Sequence, residues 1–305
     1  MINFLKKYIK KIRDLLTRNS LIEGEKYKIL MGRILSNQIK NEELQLNSIQ
    51  DVEFSVFSQF GDDGIIQWLI QNLDIPNKTF IEFGVEDFSE SNSRFLMMND
   101  NWSGFVMDGS ELNIKILKSS YYYWKYDLTC KAVFITKDNI NNLIEEQKFQ
   151  REVGLLHIDI DGNDYHIWKE IDVIEPIIVI VEFNGIFGKD RPLSVIYDEN
   201  FIRSNAHYSN LLFGSSIKSL YELALEKGYS FIGCNSGGNN AYFVRNDKLN
   251  DVVRPVTLEQ GYIESKFRES RDKNNNLSFL NKAKGRELLK GVDIYNTMTK
   301  AKEKF

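Results

Sequence analysis

The chain is predicted to be an α/β protein built on a Rossmann-like sheet, mostly parallel, with an antiparallel terminal hairpin and helical extensions at both ends. Three observations predict it. From about residue 54 short apolar runs alternate with stretches of helical period, the pattern of repeated βαβ units. The runs are continuously apolar, as expected of strands covered on both faces. Two further β-rich runs follow across a Gly/Asn-rich loop, which signals a hairpin. The 305 residues divide by pattern into a helical extension (1–50), an α/β domain (51–250) and a second helical extension (251–305).

Within the first extension Phe4, Leu5, Tyr8, Ile9, Ile12, Leu15 and Leu16 recur at helical spacing among Lys6, Lys7, Lys10, Lys11, Arg13 and Arg18. That is a basic amphipathic helix. Two occupants suit its apolar stripe: anionic lipid, contacted peripherally through residues 1–18, or protein, either the domain itself or a second copy in a homo-oligomer. Ile65 to Leu73 then reads as a helix stopped by Asp74-Ile-Pro76, and Thr79 to Gly84 as a short buried strand. Ser91 to Met98 is a helix, Trp102 to Asp108 a second strand, and a helix follows through Leu117. Ala132 to Thr136 is read as the third strand, Asn139 to Gln147 as a helix, and Leu155 to Asp159 as the fourth strand. Tyr165 to Ile171 is a helix, Ile177 to Glu182 the fifth strand, and Ile217 to Lys227 a strongly amphipathic helix. Tyr229 to Cys234 and Ala241 to Arg245 form the hairpin. Residues 255–305 are charged and helical in pattern, with a turn at Asn274-Asn-Asn276.

Composition narrows the function. Apolar residues are 42% and charged ones 27%, which is ordinary for a globular chain. The net charge of −4 carries no nucleic-acid footprint. Cys130 and Cys234 are far apart without zinc spacing and read as free thiols of a reducing compartment. With no apolar run of membrane-spanning length and no secretory pattern at the start, the expected location is cytoplasmic, either free or peripheral on the inner membrane face.

The chemistry concentrates at strand ends. The first strand ends Phe80-Ile-Glu-Phe-Gly84, where a glycine lets backbone approach a ligand closely. The second ends at Asp108, about two dozen residues on, where an acidic residue hydrogen-bonds ribose hydroxyls. Glu82, Gly84 and Asp108 together form an adenosine-site pattern. Neither a G-x-G-x-x-G triplet nor a G-x-x-x-x-G-K-[ST] loop is present, so a pyrophosphate-binding turn is not indicated. Structural alternatives exist: a tight turn at Gly84 and a helix N-cap at Asp108. The fourth strand ends in the densest polar cluster of the chain, His157-Ile-Asp-Ile-Asp-Gly-Asn-Asp-Tyr165. Close-set carboxylates repel one another unless a cation, a base or water neutralises them.

Several separated motifs resemble one family. Ser58-Gln-Phe-Gly-Asp-Asp-Gly64, Phe80-Ile-Glu-Phe-Gly84, Asn101-Trp-Ser-Gly104 with Asp108-Gly-Ser110, and His157 to Tyr165 are similar to the FkbM-like S-adenosylmethionine-dependent methyltransferases. Val181-Glu-Phe-Asn184, Ala206-His-Tyr-Ser209 and Gly233 to Val244 match the same group, and the resemblance covers roughly residues 54–247. It implies a class I methyltransferase sheet and methyl transfer from S-adenosylmethionine to an oxygen of a sugar or glycan precursor, in bacterial surface-polysaccharide (capsule) biosynthesis. It places Gln59 and Asp63, before the first sheet helix, over the cofactor beside Glu82, Gly84 and Asp108; the alternative for this stretch is a helix N-terminus capped by Asp62 or Asp63. Where many methyltransferases carry a second glycine this chain has Glu86-Asp-Phe88. In methyltransferases that bind Mg²⁺ the ion is held at the ends of strands four and five, which here offer Asp159, Asp161, Glu182 and Asn184. Such oxygen ligands suit Mg²⁺ or Mn²⁺. The alternative for Asn163 and Asp164 is a turn and helix cap. Of three histidines, His207 lies in a polar segment long enough to act as a lid and is the first choice of base. Asp159 is the second choice. His157 reads as structural, and His166 as a surface residue. Two other functions stay open: a nicotinamide-dependent nucleotide-sugar-modifying enzyme, which the missing glycine triplet disfavours, and a non-catalytic scaffold of the same fold.

Overall fold

The structure is a computed structural model. It describes Ser20, residues 22–40 and residues 46–305 in full, and only the helical backbone of residues 2–19, 21 and 41. A long helix, α1 (Ile2–Asn41), leads into α2 (Asp62–Asn72) and β1 (Thr79–Phe83). There follow α3 (Arg94–Asp100), β2 (Ser103–Asp108), α4 (Glu111–Lys118), β3 (Leu128–Ala132), α5 (Ile140–Glu145), β4 (Glu152–Ile158), α6 (Asp164–Glu170) and β5 (Glu175–Glu182). The chain continues through β6 (Leu193–Ser194), α7 (Arg203–Ala206), α8 (Ile217–Glu226), β7 (Tyr229–Cys234) and β8 (Asn240–Arg245). It ends with α9 (Leu258–Gly261), α10 (Lys282–Leu289), β9 (Asp293–Asn296) and β10 (Ala301–Lys304).

Among the described residues the main sheet has seven strands in the order β3-β2-β1-β4-β5-β8-β7. β1 to β5 are parallel, while β8 runs antiparallel to both β5 and β7. This is the mostly parallel Rossmann-like sheet with an antiparallel terminal hairpin that the sequence predicts. Strand order reverses between β1 and β4, so the crevice for a ligand lies at their carboxyl ends.

Alternation along the strands explains the two-faced burial. Ile178 and Ile180 of β5 pack with α2, α3 and α4 residues on one face, whereas Val179 and Val181 join α5, α6 and α8 on the other. All four are fully buried, as expected of parallel strands sandwiched between helices. A smaller core of Phe187, Leu193, Leu211, Leu289 and Ile294 holds a three-stranded sheet, β10-β9-β6, beside the main one.

Two expectations are corrected. The third strand is Leu128–Ala132, not Ala132 to Thr136; the later run leaves the sheet and turns into α5. Residues 251–305 are not mainly helical: besides α9 and α10 they form β9, β10 and, between the two helices, a long irregular strap (262–281). Their apolar residues are too sparse and unevenly spaced to build a helical stripe.

The described part of α1 packs on α2 and α3. Ser36 Oγ donates to Gln67 Oε1 at 2.5 Å, and Gln71 Nε2 donates back to Ser36 Oγ at 2.9 Å. Arg94, 1% exposed, lies between the rings of Phe57 and Tyr122 and reaches Glu25 of α1 at 2.8 Å. The opposite face of α1 carries exposed Tyr27, Leu30, Met31 and Ile34. The basic stripe of residues 1–18 lies outside the described side chains. Among the described residues no helix is long and apolar enough to cross a membrane.

Candidate active site

A cavity of about 500 Å³ opens along the carboxyl ends of β2, β1, β4 and β5. Its β1–β2 side is built by Gly84 to Glu86, Ser91, Asn92 and Met107 to Gly109, with Val133 to Ile135 beyond β3. Its β4–β5 side is built by His157, Asp159, Asp161, Glu182, Arg203 and Asn240.

The β1 tip is an ordered construction. Glu82, 2% exposed, accepts hydrogen bonds from Ser91 Oγ (2.7 Å), Asn92 N (3.0 Å), Ser93 N (3.1 Å) and Ser93 Oγ. Its Oε1 also meets His157 Nδ1 at 3.0 Å. Burial raises the Glu82 pKa, but the bonds from His157, Ser93 and Ser91 outweigh it and leave the carboxyl below its ordinary value. His157 is shifted upward: burial opposes its charged form, and the Glu82 carboxylate more than restores it. Gly84 has φ +70°, and a Cβ there would sit 1.6 Å from the Asp159 carbonyl oxygen. Glycine is therefore demanded first by the approach of β4 to β1.

In place of a second glycine, Glu86 adopts φ +47° and Phe88 φ +64°. The left-handed region costs a non-glycine residue about 1–2 kcal/mol, and Asp108 offsets that cost by accepting Glu86 N at 2.9 Å. Asp108 also accepts Ser110 N at 2.8 Å and Asn113 Nδ2 at 3.2 Å. It thus holds the β1 turn, starts α4 and lines the cavity.

The β4–β5 side is an acidic shelf. One carboxylate oxygen from each of Asp159, Asp161 and Glu182 can be chosen so that all three lie within 4.8 Å of one another. Burial and the Asp161 charge raise the Asp159 pKa to about 7, and a hydrogen bond joins it to Glu182. Burial and the charges of Asp159 and Asp161 push Glu182 well above the usual carboxylate range. Glu182 Oε2 is buried without a hydrogen-bond partner, as is Asn240 Oδ1 on the neighbouring strand. Asp161 takes φ +54° and pairs with Arg203 Nη1 at 2.5 Å. Arg203 is fixed by its bond to the Asn210 carbonyl (2.9 Å) and by stacking 3.7 Å over Phe213. Asp164 instead caps its own turn, accepting Ile160 N (2.8 Å) and Gly162 N (3.0 Å).

Glu82, Gly84, Asp108, Gln59, Asp159, Asp161 and Glu182 all line this one cavity. Three residues expected there are elsewhere. His207 caps the short α7; its Nδ1 bonds Ser209 Oγ at 2.7 Å, and its ring lies 4.5 Å from that of Tyr208. The carbonyl of Ser209, two residues on, accepts Arg271 N of the C-terminal strap at 3.0 Å, and His207 is not among the residues lining the cavity. Asp63 is buried behind the wall, where Oδ2 accepts the N–H groups of Val56, Phe57 and Ser58 and closes the 56–63 loop. Asn184 spends its amide on the Leu211 and Phe213 carbonyls and on Ile186 N, so it is not a metal ligand here. His157, read as structural, is the histidine at the cavity. His166 is buried rather than superficial, with Nε2 donating to the Val195 carbonyl at 2.8 Å. Sequence reasoning missed Arg203, Glu86, Asn240 and Glu269. Only Glu86 carried a signal, as the residue standing where a turn glycine is usual.

The chain matches no family model and no curated protein. Among solved structures it is similar to an O-methyltransferase from Bacillus cereus in complex with S-adenosylhomocysteine (13% identity, 71% of this chain and 81% of that one, TM-score 0.38). It is also similar to a S-adenosylmethionine-dependent methyltransferase from Clostridium acetobutylicum (8% identity, 60% and 90%, TM-score 0.38). A third is M. capricolum TrmK with S-adenosylhomocysteine (12% identity, 64% and 72%, TM-score 0.35). Likeness this loose carries no statement about what this chain does.

Proposed function

We propose that the chain is a S-adenosylmethionine-dependent methyltransferase of the FkbM-like kind, acting on an oxygen of a sugar or glycan precursor of a bacterial surface polysaccharide, in the cytoplasm. The observation that carries the reading is the charge of the cavity. Glu86, Glu90 and Asp108 stand on one side and Asp161 and Glu269 on the other, while the two cations at the cavity are already paired, His157 with Glu82 and Arg203 with Asp161, and Asp159 and Glu182 add acidic groups that burial holds partly protonated. A cleft lined by one sign of charge concentrates ligands of the opposite sign. It repels the pyrophosphate of a dinucleotide and favours a sulfonium, and the β1 turn has no glycine-rich cradle for phosphate.

Bound S-adenosylmethionine supplies a methyl group already activated for displacement. The protein contributes alignment and removal of the acceptor proton. Asp108, at the tip of β2, would take the ribose hydroxyls, with Gln59 and the Glu82–Gly84 turn around the remainder of the cofactor. Asp159 is the better base: it stands at the cavity, and its pKa of about 7 suits proton transfer near neutrality. Asp159, Asp161 and Glu182 are hard oxygen donors fit to hold Mg²⁺ or Mn²⁺ without Asn184. Such an ion would hold Asp159 as a deprotonated ligand and, in place of proton removal by that carboxylate, would lower the pKa of an acceptor hydroxyl.

The test is incubation of the full chain with S-adenosylmethionine labelled in its methyl group and glycan precursors extracted from a capsulated bacterium. Label should enter the glycan fraction with the wild type and not with Asp159→Asn. Binding of S-adenosylhomocysteine with no label transferred to any glycan would refute the acceptor class.

A further inference from the structure

A second cavity, of about 140 Å³, adjoins the first, and Gln59, Glu182, Arg203, Asn239 and Glu269 line both. Its far wall comes from the C-terminal strap, through Ser265 and Phe267, and from the start of α10, through Lys282. The strap is fitted to this place by two glycines. A Cβ on Gly185, just past β5, would lie 2.5 Å from Ser265 Cβ, and one on Gly238, in the β7–β8 loop at φ +68°, would lie 2.7 Å from Ser265 N. Phe267 is 42% exposed, yet Phe60 holds its ring edge-to-face at 5.1 Å. An aromatic face is thus presented in a fixed orientation beside the acidic shelf.

The charges of this second cavity are spent. Lys282 pairs with Glu264 at 2.7 Å and with Tyr262 Oη at 3.0 Å, and Arg203 with Asp161 and Glu269. No cation is left over for a phosphate or carboxylate among the described residues lining it. One hydrogen-bond acceptor is left over: Glu182 Oε2 is buried at the junction of the two cavities without a partner, and a buried acceptor left so is costly until a donor arrives. An aromatic face beside an unsatisfied acceptor matches the apolar face and a hydroxyl of a neutral sugar ring.

Resting on the methyl-transfer reading, we infer that this smaller cavity is the acceptor subsite. It takes a neutral, unphosphorylated sugar ring against Phe267 and holds the reacting hydroxyl at Glu182. The C-terminal strap then sets acceptor specificity.

The test is saturation-transfer NMR on the full chain, with methyl glycosides of hexoses and 6-deoxyhexoses, glucose 1-phosphate and catechol as separate probes. A parallel titration follows S-adenosylhomocysteine. A methyl glycoside should bind through its ring protons. Phe267→Ala should weaken it roughly tenfold, equivalent to about 1.4 kcal/mol. Phe267→Tyr and the exposed Lys284→Ala should not change it, and none of these variants should alter the Kd of S-adenosylhomocysteine. Preference for the sugar phosphate or for catechol, absence of any glycoside signal, or glycoside binding indifferent to Phe267→Ala would each overturn the subsite. Failure of S-adenosylhomocysteine to bind would instead overturn the methyl-transfer reading, a separate readout in the same samples.

Discussion

Replacing Glu82 by Gln tests how the β1–β2 side of the cavity is held. The wild-type carboxylate satisfies five donors from a position 2% exposed: Ser91 Oγ, Asn92 N, Ser93 N, Ser93 Oγ and His157 Nδ1. Glutamine keeps the shape but has one oxygen. Its NH₂ is best placed toward the serines, whose hydroxyls can turn and accept, leaving Ser93 N with only Ser91 Oγ at 3.1 Å. Hydrogen bonds to a charged group contribute about 1.5–3 kcal/mol and neutral ones about 0.5–1.5 kcal/mol. Neutralising the acceptor and losing one bond should therefore cost about 2–4 kcal/mol. Urea denaturation at pH 7 measures that loss. The Kd of S-adenosylhomocysteine should rise as well, because Ser91 and Asn92 line the cavity. The pH dependence has a definite sign. Glu82 sits below its ordinary 4.5 in the folded protein, so its contribution is complete above that value and is lost as pH falls through the folded pKa. His157 sits above 6.5, so its contribution is complete below that value and is lost as pH rises through its folded pKa. In the Glu82→Gln variant the His157 pKa should drop, readable as an imidazole resonance in a chain with three histidines. A loss below about 1 kcal/mol with the His157 titration unchanged would refute the reasoning.

Other expectations follow from the same geometry. Asp108→Ala removes both the proposed ribose partner and the acceptor that stabilises Glu86, so S-adenosylhomocysteine affinity should fall at least about tenfold, or about 1.4 kcal/mol; calorimetry checks this, and an unchanged Kd would remove Asp108 from the site. Mn²⁺ binding should tighten as pH rises through about 7 and should release protons, because Asp159 is protonated below that point. Calorimetry in two buffers of different ionisation enthalpy reads the release, and pH-independent affinity would exclude Asp159 as a ligand. His207→Gln should leave turnover within about twofold of wild type, since no atom of His207 lines the cavity. A loss of a hundredfold or more, the usual effect of deleting a general base, would mean that the loop rearranges onto the strand tips.

Much of the sheet was legible because its strands are local signals: Ile177 to Val181 is apolar and β-branched wherever it is placed. The third strand was misplaced because Ala132 to Thr136 is as β-prone as Leu128 to Ala132, and pairing with β2 decides between them. At the site, strand tips could be read from sequence, since a parallel sheet brings its carboxyl ends together. Side-chain direction could not. Asp63 and Asn184 stand beside the cavity in sequence terms, but their carboxylate and amide are consumed by nearby backbone groups. Arg203 and the strap reach the site through tertiary packing across irregular segments, which periodicity does not encode.

The central claim, that this acidic crevice is a sulfonium site, is tested most directly by titrating S-adenosylmethionine, S-adenosylhomocysteine and NAD⁺ into the full chain by isothermal calorimetry. One site for each of the first two and no heat with NAD⁺ is the predicted result. Binding of NAD⁺ with none for either sulfur compound would contradict it.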